Sequence, residues 1–178
     1  MAAYHALNVA SNVTSFSNNY SDTMTVIVYS SNTGSTKSYA QAFSGKVGYA
    51  CFDSSEEYDR QQDIIYFGWM NGPKIVGLEK IDQSKLKAVV TVSIECDDEF
   101  FQKIEKANDI KVPIFHLRGW IDRSKLGFGP KFLFFFICMM YKYNGLNDYT
   151  GPMYDAMKHG GSFYDESGLD PIIEFVKE

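Results

Sequence analysis

The sequence predicts an α/β domain: an open, doubly wound, five-stranded parallel sheet with helices on both faces. Three observations predict it. Short apolar runs without polar alternation recur along the chain, as strands covered on both faces require. Segments of helical character separate successive runs, which is the pattern of strand–helix–strand crossovers. The first run leads directly into a loop of Ser, Thr and Gly with a helix behind it.

Taken in order, residues 1–23 stand apart. They are rich in Asn and Ser and hold no Lys or Arg, so the charged-then-apolar pattern of a secretory leader is absent. They read as a flexible N-terminal extension, with the domain spanning 24–178. Val26 to Tyr29 is the first strand, and a helix is expected from about Thr36 to Ser44, closed by Gly45. Val47 to Phe52, Asp63 to Gly68, Leu86 to Ile94 and Val112 to Leu117 supply strands two to five. The link from Asp53 to Gln62 is short for a parallel crossover and predicts a single helical turn begun by Ser54 and Glu57. Phe100, Phe101 and Ile104 fall at helical spacing between Asp97 and Asn108. Asp170 is placed to cap a last helix with Pro171 at its first position.

Composition narrows the function classes. At 178 residues, 45% hydrophobic and 22% charged, the chain suits one soluble domain with a sizeable core. A net charge of -5 offers no footprint for nucleic acid or for an anionic membrane. Cys51, Cys96 and Cys138 lie far apart without a CxxC pair, which suits a reducing, cytoplasmic setting rather than a disulfide or zinc framework. The three histidines are equally dispersed, so a metal site has no support.

The chemistry concentrates in Ser31-Asn32-Thr33-Gly34-Ser35-Thr36, directly after the first strand. In an open α/β sheet the ligand sits beyond the carboxyl ends of the strands, where strand order reverses. Four hydroxyls, a row of backbone N–H groups and a helix N-terminus suit an anion, and Gly34 lets the backbone approach it. No Lys stands where a P-loop has one, which points away from a triphosphate with magnesium and towards a terminal phosphate held by neutral donors.

Here the sequence resembles the flavodoxin family. Ile27-Val28-Tyr29, Ser31, Gly34, Thr36 and Ala40 stand where that family's FMN-phosphate motif has aliphatic, aromatic, hydroxyl, small, Thr and Ala residues. The resemblance implies a flavodoxin-like fold with strand order 2-1-3-4-5 and noncovalent FMN. It further implies that Trp69-Met70-Asn71-Gly72 flanks the flavin ring and that Ser93-Ile94-Glu95-Cys96 meets its pyrimidine end. The Asn71-Gly72 peptide is able to flip towards a reduced N5. Glu95, Asp97 and Asp98 would disfavour a reduced, anionic flavin. No conventional catalytic acid or base is needed, because the redox chemistry belongs to the flavin.

The segment Phe115 to Leu126 and the apolar stretch after it resemble the flavodoxin-domain branch that includes the quinone-linked protoporphyrinogen oxidases. A quinone or a redox partner protein is the acceptor this implies. His116 and Arg118 read either as a satisfied core histidine and a surface arginine or as substrate contacts at the rim of the flavin site. Phe132 to Tyr141 is too short to span a bilayer. It is open to three readings: a core helix, a surface packed under the C-terminal segment or in a homodimer, and a shallow membrane contact. From a different functional class, a flavin-free flavodoxin-like interaction module stands as the alternative.

Overall fold

The parallel strands carry the architecture, and the three central ones are apolar on both sides. The computed structural model describes residues 24–95 and 97–178; the expectation for residues 1–23, and Cys96, lie outside them. Strands β1 (Thr25–Ser30), β2 (Cys51–Asp53), β3 (Asp63–Asn71), β5 (Leu86–Ser93) and β6 (Ile114–Arg118) form one parallel sheet in the order β2-β1-β3-β5-β6. A short β4 (Lys74–Ile75) turns back antiparallel on β3. Counting the parallel strands alone, this is the predicted order 2-1-3-4-5 of the flavodoxin-like doubly wound fold.

Alternation assigns the two faces. Ile27, Tyr29, Ile65, Phe67, Val90 and Val92 pack with Tyr39, Ala40 and Phe43 of α1 (Ser35–Val47) and Ile172 of α5 (Asp170–Phe175). Val26, Val28, Ile64, Tyr66 and Val89 face the opposite way, towards Ile75, Leu78 and Ile104 of α2 (Asp98–Asn108). A third cluster lies beyond the strand ends. There the inner stripe Phe134, Ile137, Cys138 and Tyr141 of α3 (Phe128–Asn144) packs on Met153, Ala156 and Met157 of α4 (Thr150–His159). The small pair β7 (Trp120–Ile121) and β8 (Gly161–Ser162) joins this layer.

Several local expectations change. Helix α1 runs through Gly45 and ends at Gly48, whose φ of 78° and N–H bond to the Ser44 carbonyl close it. Val47 therefore ends a helix rather than opening a strand, and β2 shrinks to three residues. The β2–β3 link contains no helical turn. The Asp53 carboxylate accepts from the Ser55 amide at 3.0 Å and its hydroxyl at 2.7 Å, an Asx turn that competes with helix. At the C-terminal end Asp165, not Asp170, caps: it accepts from Ser167 ahead of a 3-10 turn at Glu166–Leu169. Pro171 sits in the first turn of α5, at its second residue rather than its first. The reading of Phe132 to Tyr141 as a core helix is corrected most. None of α3 is buried, and Phe132, Phe135, Phe136, Met139 and Met140 are exposed.

Candidate functional site

The strand ends converge in register. Ser30 lies beside Gly68, Trp69 beside Val92, and Ser93 beside Arg118. Beyond β1 the chain passes to β2 on one side and β3 on the other, and the crevice opens at this reversal. A cavity of about 490 Å³ occupies it, within the range of roughly 300–1,000 Å³ common for small-molecule sites.

Most of the residues singled out from the sequence line that one cavity: Asn32, Thr33, Ser35 and Thr36 from the first loop, Trp69, Met70, Asn71 and Gly72 from the second, and Ser93, Ile94 and Glu95 from the third. Ser31 and Gly34 stand just outside its lining. Cys96 is not among the described residues.

The first loop offers hydrogen-bond donors. Gly34 takes the position before α1 with a φ of 107°, a conformation side chains rarely adopt. No side chain caps the helix, and its first turn holds no acid, so the leading amide donors face the loop unspent. Thr36, only 1% exposed, keeps its hydroxyl without a partner, and so does Ser31. Buried hydroxyls are normally paired. Two such groups at an uncapped helix start leave hydroxyl donors that an anion could take.

The second loop is a hairpin. Asn71 pairs with Lys74 across Gly72 and Pro73. Gly72 has a φ of 58°, and Pro73 cannot follow it there, which is the requirement of a II′ turn. Asn108, at the end of α2, holds the hairpin: its side chain accepts from the Ile75 amide at 3.0 Å and donates to the Pro73 carbonyl at 2.8 Å.

In the third loop the acids divide. Glu95 lines the cavity, and burial, with Asp97 nearby, holds its carboxyl above the ordinary value. Asp97 caps α2 instead, accepting from the Phe100 amide at 2.8 Å, and Asp98 opens that helix. Phe100, in the helix's first turn, supplies the aromatic that the loop itself lacks.

His116 and Arg118 do not line the cavity. His116 shares a 2.6 Å hydrogen bond with the Thr91 hydroxyl and stacks on Phe101 at 3.8 Å, where burial lowers its pKa. Arg118 donates to the Ile94 carbonyl and lies over the Phe163 ring. Both hold strands and loops in place.

Other residues at the site were missed. Trp120 donates its indole N–H to the Thr33 carbonyl at 3.2 Å and accepts from the Thr33 hydroxyl through its own carbonyl at 3.3 Å. Lys125 brings its ammonium to 3.5 Å from the same Thr33 carbonyl, so the loop has a cation after all. Gly119 lets this segment approach, since a Cβ there would meet Ser35 Oγ at 2.7 Å and Val92 Cγ1 at 2.8 Å. Leu133, Phe134 and Ile137 of α3, with Leu126 and Met157, form an apolar wall. The one local signal for that wall was helical spacing within the apolar run.

Among the described residues no group of His, Cys, Asp or Glu could hold a metal ion, and no helix is long and apolar enough to cross a membrane. No protein-family model matches the chain, and no curated protein does. Among solved structures it is similar to a metal-soaked flavodiiron core from Synechocystis sp. PCC6803, at 12% identity and a TM-score of 0.35. That similarity covers 56% of this chain and 32% of that one.

Proposed function

We propose that the protein is an FMN-binding flavodoxin-like redox protein that carries electrons or reduces a small acceptor such as a quinone. The observation that carries this reading is the Thr36 hydroxyl, buried without a partner at the head of an uncapped helix. A phosphate monoester satisfies both deficits at once.

In this reading Ser31, Thr33, Ser35 and Thr36 hold the phosphate through hydroxyls, while Asn32 and Gly34 contribute backbone. Trp69, Met70, Asn71 and Gly72 flank the ring on one side, with Ser93, Ile94 and Glu95 at its polar end. FMN, when bound, supplies one- and two-electron chemistry. The chain supplies binding, orientation and field. The clamped hairpin fixes the ring's edge, Glu95 places negative potential beside it, and the apolar wall from α3 excludes water and suits a lipophilic acceptor.

One contact favours a second reading, a flavin-free interaction module. Trp120 lies on the loop, and the Cβ position of Gly34 is 3.5 Å from its ring, so the indole fills space beside the cradle. Visible absorption separates the two. The purified protein is mixed with FMN or with riboflavin, desalted, and scanned. Flavin bands retained with FMN and lost with riboflavin support the phosphate cradle. Retention of neither overturns the redox reading in favour of the module.

A further inference from the structure

Helix α3 presents a surface that the cleft does not use. At about 100° per residue, Phe132, Phe135, Phe136, Met139, Met140 and Tyr143 share one broad arc. Their exposure runs from 42% at Phe136 to 90% at Tyr143. So many large apolar side chains in one exposed row mark a contact surface.

The two edges of the arc differ. Leu133 and Ile137 lie along one and wall the cleft. Lys131 and Lys142 lie along the other. With Arg123 and Lys158 they rim a second groove of about 330 Å³, floored by Phe134, Cys138 and Met157. Every charged residue lining that groove is positive, in a chain whose net charge is -5. No ion pair joins any of the four to a described acid.

We infer that this face docks on a bilayer containing anionic lipid. The aromatic and Met arc enters the boundary between headgroups and acyl chains, and the four cations take lipid phosphates. The helix lies on the membrane and does not cross it, since it is 17 residues long and carries two lysines. A second copy of the chain fits this face poorly. Helix α3 contains no Asp or Glu, and a two-fold pairing about its midpoint sets Lys131 of one copy near Lys142 of the other. An anionic surface neutralises the charges that a second copy leaves opposed. The docking stands apart from the cofactor, but it brings the α3 wall of the cleft to the membrane, where lipophilic acceptors reside.

The test is flotation of the full chain with vesicles of phosphatidylcholine alone or mixed equally with phosphatidylglycerol. Binding is expected on the mixed vesicles, about tenfold weaker on the neutral ones and at high salt. Lys131→Gln/Lys142→Gln and Phe135→Ser/Met140→Ser should each weaken it by about tenfold with unchanged circular dichroism. Hydrogen exchange on the unaltered protein gives an independent readout: amides of 131–143 slow when mixed vesicles are added. Absence of flotation, equal flotation on both compositions, or binding without slowed exchange in α3 overturns the inference. So does a sedimenting dimer abolished by Phe135→Ser/Met140→Ser.

Discussion

Replacing Thr36 by Val should push stability and cofactor affinity in opposite directions. Thr36 is 1% exposed, and its hydroxyl has no partner. A buried hydroxyl left unpaired costs about 1–3 kcal/mol. Thr36→Val keeps the shape and β-branching and removes the polar atom, and the two residues differ little in helix propensity. The cofactor-free protein should gain about 1 kcal/mol, which raises Tm by about 2–4 °C for a domain of this size. In the proposed complex the same hydroxyl donates to phosphate. A hydrogen bond to a charged group is worth about 1.5–3 kcal/mol, so FMN affinity should fall by about tenfold to a hundredfold. Riboflavin, which lacks the phosphate, should bind the variant and the parent alike. Thermal melts followed by circular dichroism and flavin fluorescence titrations measure the two sides. A lower Tm in Thr36→Val, or an unchanged affinity for FMN, refutes the reasoning, because the hydroxyl would then serve the fold and not a ligand.

Gly119→Ala should destabilise by about 1–3 kcal/mol, because its Cβ meets Ser35 Oγ and Val92 Cγ1 inside contact distance; a urea midpoint equal to the parent's would show that the strand end can shift. His116 supplies a pH dependence. Burial holds its pKa below the ordinary 6.5, so the folded state binds fewer protons than the unfolded state just below that value. Its contribution is full above pH 6.5 and is lost as pH falls towards the depressed pKa. His116→Phe keeps the stack on Phe101 and should flatten the urea midpoint across that window, and an unchanged slope would assign the pH dependence elsewhere.

Much of this architecture could be read from local pattern, and the failures have physical causes. Val26 to Tyr29 and the hydroxyl loop after it are contiguous, so their roles in fold and cavity were legible together. Gly45 and Gly48 both qualify as helix stops. Only the left-handed backbone at Gly48 decides between them, and that is set by where β2 must begin. The run from Phe132 to Tyr141 shows apolarity on every side, which cannot say which side finds a partner. The two sheet faces were already filled by α1, α5 and α2, so α3 was left to the strand ends. Trp120 and Lys125 meet Thr33 from 87 and 92 residues away. Nothing near either residue signals a contact of that span.

Tyr39 gives the hydroxyl loop a temporal condition. Its hydroxyl, one turn into α1, donates to the Arg118 carbonyl at 2.7 Å and accepts from the Asp165 amide at 2.8 Å. These bonds reach 79 and 126 residues along the chain. Contacts of such separation form late, after the loop-closure entropy has been met. During synthesis the helix behind Thr36 therefore gains the second of these anchors only when the ribosome has released Asp165. The helix is thus tied down in order along the chain, to the Arg118 carbonyl first and to the Asp165 amide after it.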